Sequence, residues 1–210
     1  MTTTRRKSQR VSKGGDIRQD RSYQLVAQLR WELCQGAESP VARVAHLAAL
    51  LAWQQFAVRG PAALTYRFEH PLTAVWAHKV MRSPHTQVVV DGNGSGTGIL
   101  RIGNPQTQLG RYGFRDHRWV FAPGTVAAWG VVRGALHARA GFSRKGLTVE
   151  CPSQGLLLQL MAALGRLGIN SFAVSHESLN LTIPAGDIAW VAERLALPST
   201  AAAFAQARGA

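Results

Sequence analysis

Two glutamates stand near the ends of a phrase that occurs twice in this chain, Leu64-Thr65-Tyr66-Arg67-Phe68-Glu69-His70-Pro71 and Leu147-Thr148-Val149-Glu150-Cys151-Pro152. A pair of carboxylates can work as general acid and base. Glu69 and Glu150 each come just before a proline suited to a first helical turn, however, so helix capping is the stronger expectation. The seven histidines, His46, His70, His78, His85, His117, His137 and His176, lack the HxxxH and HExxH spacings that put two ring nitrogens on one metal. Cys34 and Cys151 have no CxxC partner, so neither zinc nor a disulfide framework is expected, and a reducing, cytoplasmic setting fits. Gly92-Asn93-Gly94-Ser95-Gly96-Thr97-Gly98 lacks the Gly-Lys-Ser/Thr of a phosphate loop and leads into the strand Ile99-Leu100-Arg101-Ile102, so it reads as a hairpin tip. These types and spacings give no catalytic residue, no metal and no cofactor.

What remains is cationic. Lys and Arg number 24 against 11 Asp and Glu, a net charge of +13 and a pI near 11.3 on an ordinary globular background of 46% apolar residues. That balance points to a nucleic-acid partner. Residues 1–22 hold Arg5, Arg6, Lys7, Arg10, Lys13, Arg18 and Arg21 with almost nothing apolar, and are expected to form a disordered arm that adds salt-dependent attraction to phosphates. No stretch is apolar enough to span a bilayer, and no apolar run follows the basic N-terminus, so neither membrane insertion nor secretion is expected.

The repeat period, roughly eighty residues, is too long for a solenoid unit and suits two half-domains about a pseudo-two-fold axis. Leu25, Val26, Leu29 and Leu33 recur at helical spacing and predict a leading helix from Tyr23 to Gln35. Ser39-Pro40 opens a second helix to about Val58, apolar on most of its circumference and therefore central. Leu64, Tyr66 and Phe68 alternate with Thr65, Arg67 and Glu69 in a half-buried strand; Pro71 starts a helix through Met81; residues 86–90 and 98–103 read as a hairpin. Residues 104–122 are expected to bridge the halves with one or two strands. The order then recurs: a helix from Val126 to about Ala140, a strand over 146–150, a helix over 156–167 and a hairpin of 171–175 with 179–183. A last helix from Pro184 to Leu197 precedes an Ala-rich tail expected to be loose.

This succession resembles the LAGLIDADG homing-endonuclease architecture, an α/β (α+β) fold in which two long helices form the seam between repeats whose sheets make a saddle. Ala128-Trp129-Gly130-Val131-Val132-Arg133-Gly134-Ala135-Leu136-His137-Ala138-Arg139-Ala140-Gly141, with Leu147 to Pro152 and Leu164-Gly165-Arg166-Leu167-Gly168-Ile169, is similar to the second repeat of the WhiA family of bacterial sporulation regulators. The first repeat is similar through Val44 to Trp53 and the Gly-rich hairpin. The resemblance divides the chain into a basic arm (1–22), a first repeat with leading helix and bridge (23–122), a second repeat (123–197) and a tail (198–210). It implies DNA binding and transcriptional control of sporulation and cell-division genes, in the cytoplasm on the nucleoid. WhiA proteins carry a C-terminal helix-turn-helix domain; thirteen residues after Leu197 are too few for one, so the sequence is expected to be either a fragment or a family member that has lost that reader.

Homing endonucleases hold metal ions with one acid at the end of each central helix. Counted from Gly134, that position falls on Arg139 or its neighbour, and the first helix ends Ala52-Trp53-Gln54-Gln55-Phe56-Ala57, so neither end offers a carboxylate. A guanidinium repels a divalent cation and pairs with a phosphate, so binding of double-stranded DNA without cleavage is expected. His137, beside Arg139, is placed to touch a phosphate. In a saddle the polar members of the strands face the duplex: Thr65, Arg67, Arg101, Arg144, Lys145, Thr148, Ser171, Ser175, Asn180 and Thr182, joined by Arg111, Arg115 and Arg118 from the bridge. Tyr112, Phe114 and Trp119 are expected in the core. Two other readings are a saddle that docks other regulatory or division proteins, with weak salt sensitivity, and an RNA-binding protein.

Overall fold

The computed structural model describes residues 13–55, 58–60, 62–90, 96–173 and 179–209. Helix α1 (Lys13–Gln35) leads into α2 (Pro40–Gln54), where Ser39 accepts a hydrogen bond from the Ala42 amide at 3.3 Å and Pro40 takes the first turn. Strands β1 (Val58–Arg59) and β2 (Ala63–Phe68), helix α3 (Pro71–Met81) and the hairpin β3 (Thr86–Val90) and β4 (Gly98–Gly103) complete the first unit. Helix α4 (Pro105–Gly110) and a small hairpin, β5 (Phe114–Arg115) with β6 (Arg118–Trp119), bridge to the second. That unit runs α5 (Thr125–Arg139), β7 (Ala140–Ser143), β8 (Gly146–Glu150), α6 (Gln154–Arg166), β9 (Phe172–Ala173), β10 (Asn180–Pro184) and α7 (Ile188–Arg194), followed by α8 (Pro198–Gly209). The two sheets share one order, β1-β2-β4-β3 and β7-β8-β10-β9, so the repeat read from the sequence is a repeat of topology.

Helices α2 and α5 pack along their lengths because glycine permits it. At Gly130 and Gly134 a β-carbon would run into the carbonyl oxygens of Ala42 and His46, and Ala45 and Ala49 supply the small opposing side chains. Each glycine costs about 1 kcal/mol of helix propensity against alanine. Leu47, Leu50, Leu51 and Trp53 of α2, with Val132 and Leu136 of α5, are buried in the core that the paired helices share with the sheets, at roughly 1.5–3 kcal/mol each, which outweighs that cost. Leu64, Tyr66, Phe68, Leu100 and Ile102 of the first sheet, and Leu147, Val149, Leu181 and Ile183 of the second, close onto the same core.

Several boundaries differ from the sequence expectation. The leading helix begins at Lys13, so residues 13–22 are helical where a disordered arm was expected; residues 1–12 lie outside the described residues. Helix α2 stops at Gln54, and Val58 opens a short edge strand, as Ala140 does after α5; strands this brief carry no readable alternation. The bridge holds a helix as well as strands. Pro184 closes β10 instead of opening a helix, with the Ala185 amide bonded to the Lys145 carbonyl at 3.1 Å. The tail expected to be loose is helix α8. The Glu32 carboxylate of α1, 7% exposed, accepts hydrogen bonds from the Ser199 and Thr200 amides and the Thr200 hydroxyl, each at 2.8 Å, and so caps that helix across the molecule. The tip residues 91–95 and Ser175 lie outside the described residues. No described helix is long and apolar enough to cross a membrane.

Candidate nucleic-acid interface

Alternation along the strands sorts the polar residues. With Leu64, Tyr66 and Phe68 turned inward, Thr65 and Arg67 point outward, and the same pattern exposes Ile99 and Arg101 on β4. Register aligns Val58, Thr65, Arg101 and Gln87 in one cross-strand row and Arg67, Ile99 and Val89 in the next. In the second sheet the corresponding row is Gly141, Thr148, Thr182 and Phe172, with Asn180 opposite Glu150. Asn180 is exposed, as are Arg144 and Lys145 in the turn from β7 to β8. Thr148 and Ser171 are half-buried, and the Thr148 hydroxyl donates to the Gly141 carbonyl at 3.0 Å. Thr182, expected on the outer face, is enclosed completely between its neighbours, and its hydroxyl has no partner among the described residues.

The bridge arginines go elsewhere. Arg111 donates to the Met81 carbonyl and lies over the Tyr112 ring at 4.9 Å. Arg111 and Arg115 border a groove along the N-terminal half of α2, and Arg118 is exposed on β6. Tyr112 and Phe114 are buried, with Trp119 half-buried and its ring 5.0 Å from that of Phe114, as expected of core residues.

At the C-terminal ends of α2 and α5 a polar cavity of about 190 Å³ opens. Arg139 donates from Nε to the Trp53 carbonyl at 3.3 Å and from Nη2 to the Gln54 carbonyl at 3.4 Å. The guanidinium expected to meet a phosphate therefore satisfies the orphan carbonyls that end α2. Glu69 and Glu150 both reach this cavity, and neither caps a helix: His70 holds the N-cap of α3 and Ser153 that of α6. Glu69, mostly exposed, pairs instead with Arg30 of α1 at 3.3 Å.

Behind the cavity a line of buried polar groups crosses the seam. The Arg133 Nε and His46 Nδ1 both lie 2.6 Å from Glu38 Oε1, His46 Nε2 is 3.0 Å from His137 Nδ1, and His137 Nε2 is 2.9 Å from Thr73 Oγ1. Burial lowers the affinity of His46 for a proton, and Glu38 opposes this without reversing it. Burial, with His46 and Arg30 nearby, holds His137 well below the ordinary imidazole range. Burial alone would raise the Glu38 carboxyl; its hydrogen bond to His46 and the Arg133 guanidinium outweigh that and keep it low. With both imidazoles neutral, one proton arrangement satisfies every contact: Thr73 donates to His137, His137 to His46, and His46 and Arg133 to Glu38. Burial pushes the Cys34 thiol, 3.5 Å from His137 Nε2, up to about 12, so it remains protonated. His137 is thus neutral, 1% exposed and already bonded, which removes it from the phosphate contacts expected of it.

No protein-family model and no curated protein matches the chain. Solved structures do. The N-terminal LAGLIDADG domain of DUF199/WhiA superposes with a TM-score of 0.61 at 11% identity, over 81% of this chain and 89% of that one. The chain has a LAGLIDADG fold. Full-length DUF199/WhiA from Thermatoga maritima gives 0.59 at 12% identity, over 86% of this chain and 66% of that chain. The homing endonuclease I-DmoI, in a complex with DNA and Ca, gives 0.55 at 15% identity, over 80% of this chain and 100% of that one. Within this LAGLIDADG fold, the sequence expectation missed Glu38, His46 and Arg133 as a group. A signal for them was present: Arg133 and His46 interrupt helices apolar on nearly every side, and a polar group enclosed there requires a partner.

Proposed function

We propose that this chain is a WhiA-like DNA-binding regulator that holds double-stranded DNA across the outer faces of its two sheets and does not cut it. The observation that carries this reading is the pairing of exposed Arg67 and Arg101 on one sheet with exposed Asn180, Arg144 and Lys145 on the other, in a chain of net charge +13. Arginines and amides of this kind position a duplex by its phosphates and reach base edges. The resemblance to WhiA supports a regulatory role, in sporulation or cell division, on the nucleoid; the I-DmoI complex supports DNA as the ligand of the fold. Arg139, Thr182 and the bridge arginines Arg111, Arg115 and Arg118 are left out of the contact set by their position, and the helix ends that would hold metal carry Gln54 and Arg139.

Fluorescence anisotropy with a labelled duplex tests this. Affinity should fall steeply between low and physiological salt, and Arg67→Ala with Arg144→Ala should flatten the logarithmic salt slope by about two. Binding insensitive to both salt and these substitutions would sink it. One observation favours a nuclease: Glu69 and Glu150, one from each repeat, line the same cavity at the seam's end. Nicking of supercoiled plasmid by the chain in Mg²⁺ or Mn²⁺, abolished by Glu150→Gln, would establish that reading instead.

A further inference from the structure

The opposite end of the seam carries an apolar surface that DNA binding does not use. Between the N-terminal half of α2 and residues 110–123 runs a groove of about 560 Å³ floored by Ala48, Tyr112 and Phe121. Val41, Val44 and Val120 line it and are 54%, 41% and 60% exposed, a cluster rather than the scattered single apolar residues normal on a surface. The charged residues along it are Arg111 and Arg115. The same connecting segment borders a second groove against α6, where the charged residue is Arg166. Beside both, α5 begins at Gly124: no side chain caps its first amides, no acid lies in its first turn, and a β-carbon at Gly124 would meet nothing. Unsatisfied amides at a helix N-terminus favour a carboxylate.

We propose that this end of the seam docks an acidic amphipathic segment of another protein, its apolar side chains in the groove and its carboxylates on Arg115 and the amides that open α5. Charge selects that occupant. A nucleic acid would satisfy the arginines but set the exposed valines against sugars and phosphates. A second copy meeting this face about a two-fold axis would bring Arg111 and Arg115 against their own like. Val44 in the groove and Gln54 at the cavity are ten residues apart on α2, about 15 Å along its axis. The segment and a duplex can therefore be held together.

The experiment titrates the whole chain with a fluorescein-labelled helical peptide that carries leucines along one stripe and glutamates beside them, and with a matched peptide in which each Glu is Gln. Saturable binding of the Glu peptide is expected, weakened roughly tenfold in the Gln peptide and roughly tenfold or more by Val44→Asp or Val120→Asp. Both variants should keep the parent circular dichroism and duplex affinity, and duplex DNA should not displace the peptide. Absence of saturable binding, equal binding of the two peptides, displacement by duplex, or full affinity in both Asp variants would overturn the proposal. So would a concentration-dependent dimer that Val44→Asp abolishes, which would give the face to a second copy.

Discussion

In the seam, Glu38, Arg133, His46 and His137 have side chains or whole residues no more than 1% exposed and bond to one another; on the outer sheet faces, Arg67 and Arg101 stand in solvent. A charge removed from water must find partners, as Arg133 does in Glu38 although its Nη2 is left without one, and those partners fix geometry and leave little to offer a ligand. A charge left in water needs no partner and remains available to a phosphate. Residue type alone does not separate the two roles, since arginine serves in both.

The sharpest way to break that contrast is to leave a buried charge unmatched. Glu38→Gln deprives Arg133 of its counter-charge inside the seam and should destabilise the chain by about 3–5 kcal/mol in urea unfolding. If the unmatched charge is the whole cause, adding Arg133→Met to Glu38→Gln, which keeps an oxygen to accept from His46, should recover most of the loss. Full stability in Glu38→Gln alone would mean that the guanidinium is solvated.

A pH series sharpens the same contrast with a smaller effect. Both seam imidazoles are held below 6.5 in the folded chain, so below about that pH the unfolded chain binds protons that the folded chain refuses. Stability is complete above the unfolded value and falls as pH drops through it, by up to about 1.4 kcal/mol per pH unit for each imidazole. Urea midpoints measured from about pH 7.5 to about 5.5 should decline accordingly. Glu38, held below 4.5, adds its own loss only in stronger acid. A flat profile across the imidazole range would mean that folding leaves the proton affinity of the pair unchanged, and a rise on acidification would mean that the pair is protonated in the fold.

The fold was largely legible because it rests on periodicity: alternation in β2 and β8, apolar circumference in α2 and α5, and prolines where helices begin. Edge strands two to four residues long, β1 and β7, carry too little pattern to read. Helix α8 was missed for a different reason. Its sequence is weakly amphipathic, and what orders it is Glu32, 167 residues distant from Ser199, a contact no local window contains. The interface was half legible. Strand parity placed Arg67 and Arg101 correctly outward, whereas Arg139 and His137 were misassigned because their partners, the end of α2 and the N-terminus of α3, become neighbours only through the packing of the repeats.

The smallest effect separates two arginines of one chain. Arg139→Ala removes the donor to the Trp53 and Gln54 carbonyls and should cost about 1 kcal/mol of stability while leaving duplex affinity and its salt slope unchanged. Arg101→Ala, on an exposed strand position between Thr65 and Gln87, should move stability by less than about 0.5 kcal/mol yet lower the logarithmic salt slope of duplex binding by about one. Each variant is read by both measurements, so a crossed result is as informative as the expected one. If Arg139→Ala weakened the duplex and Arg101→Ala did not, the phosphates would lie in the cavity at the seam's end and the sheet faces would be ordinary surface. Because Arg139 bridges α2 to α5 while Arg101 bears on neither, that pair of titrations distinguishes a charge that holds the repeats together from one that holds a partner.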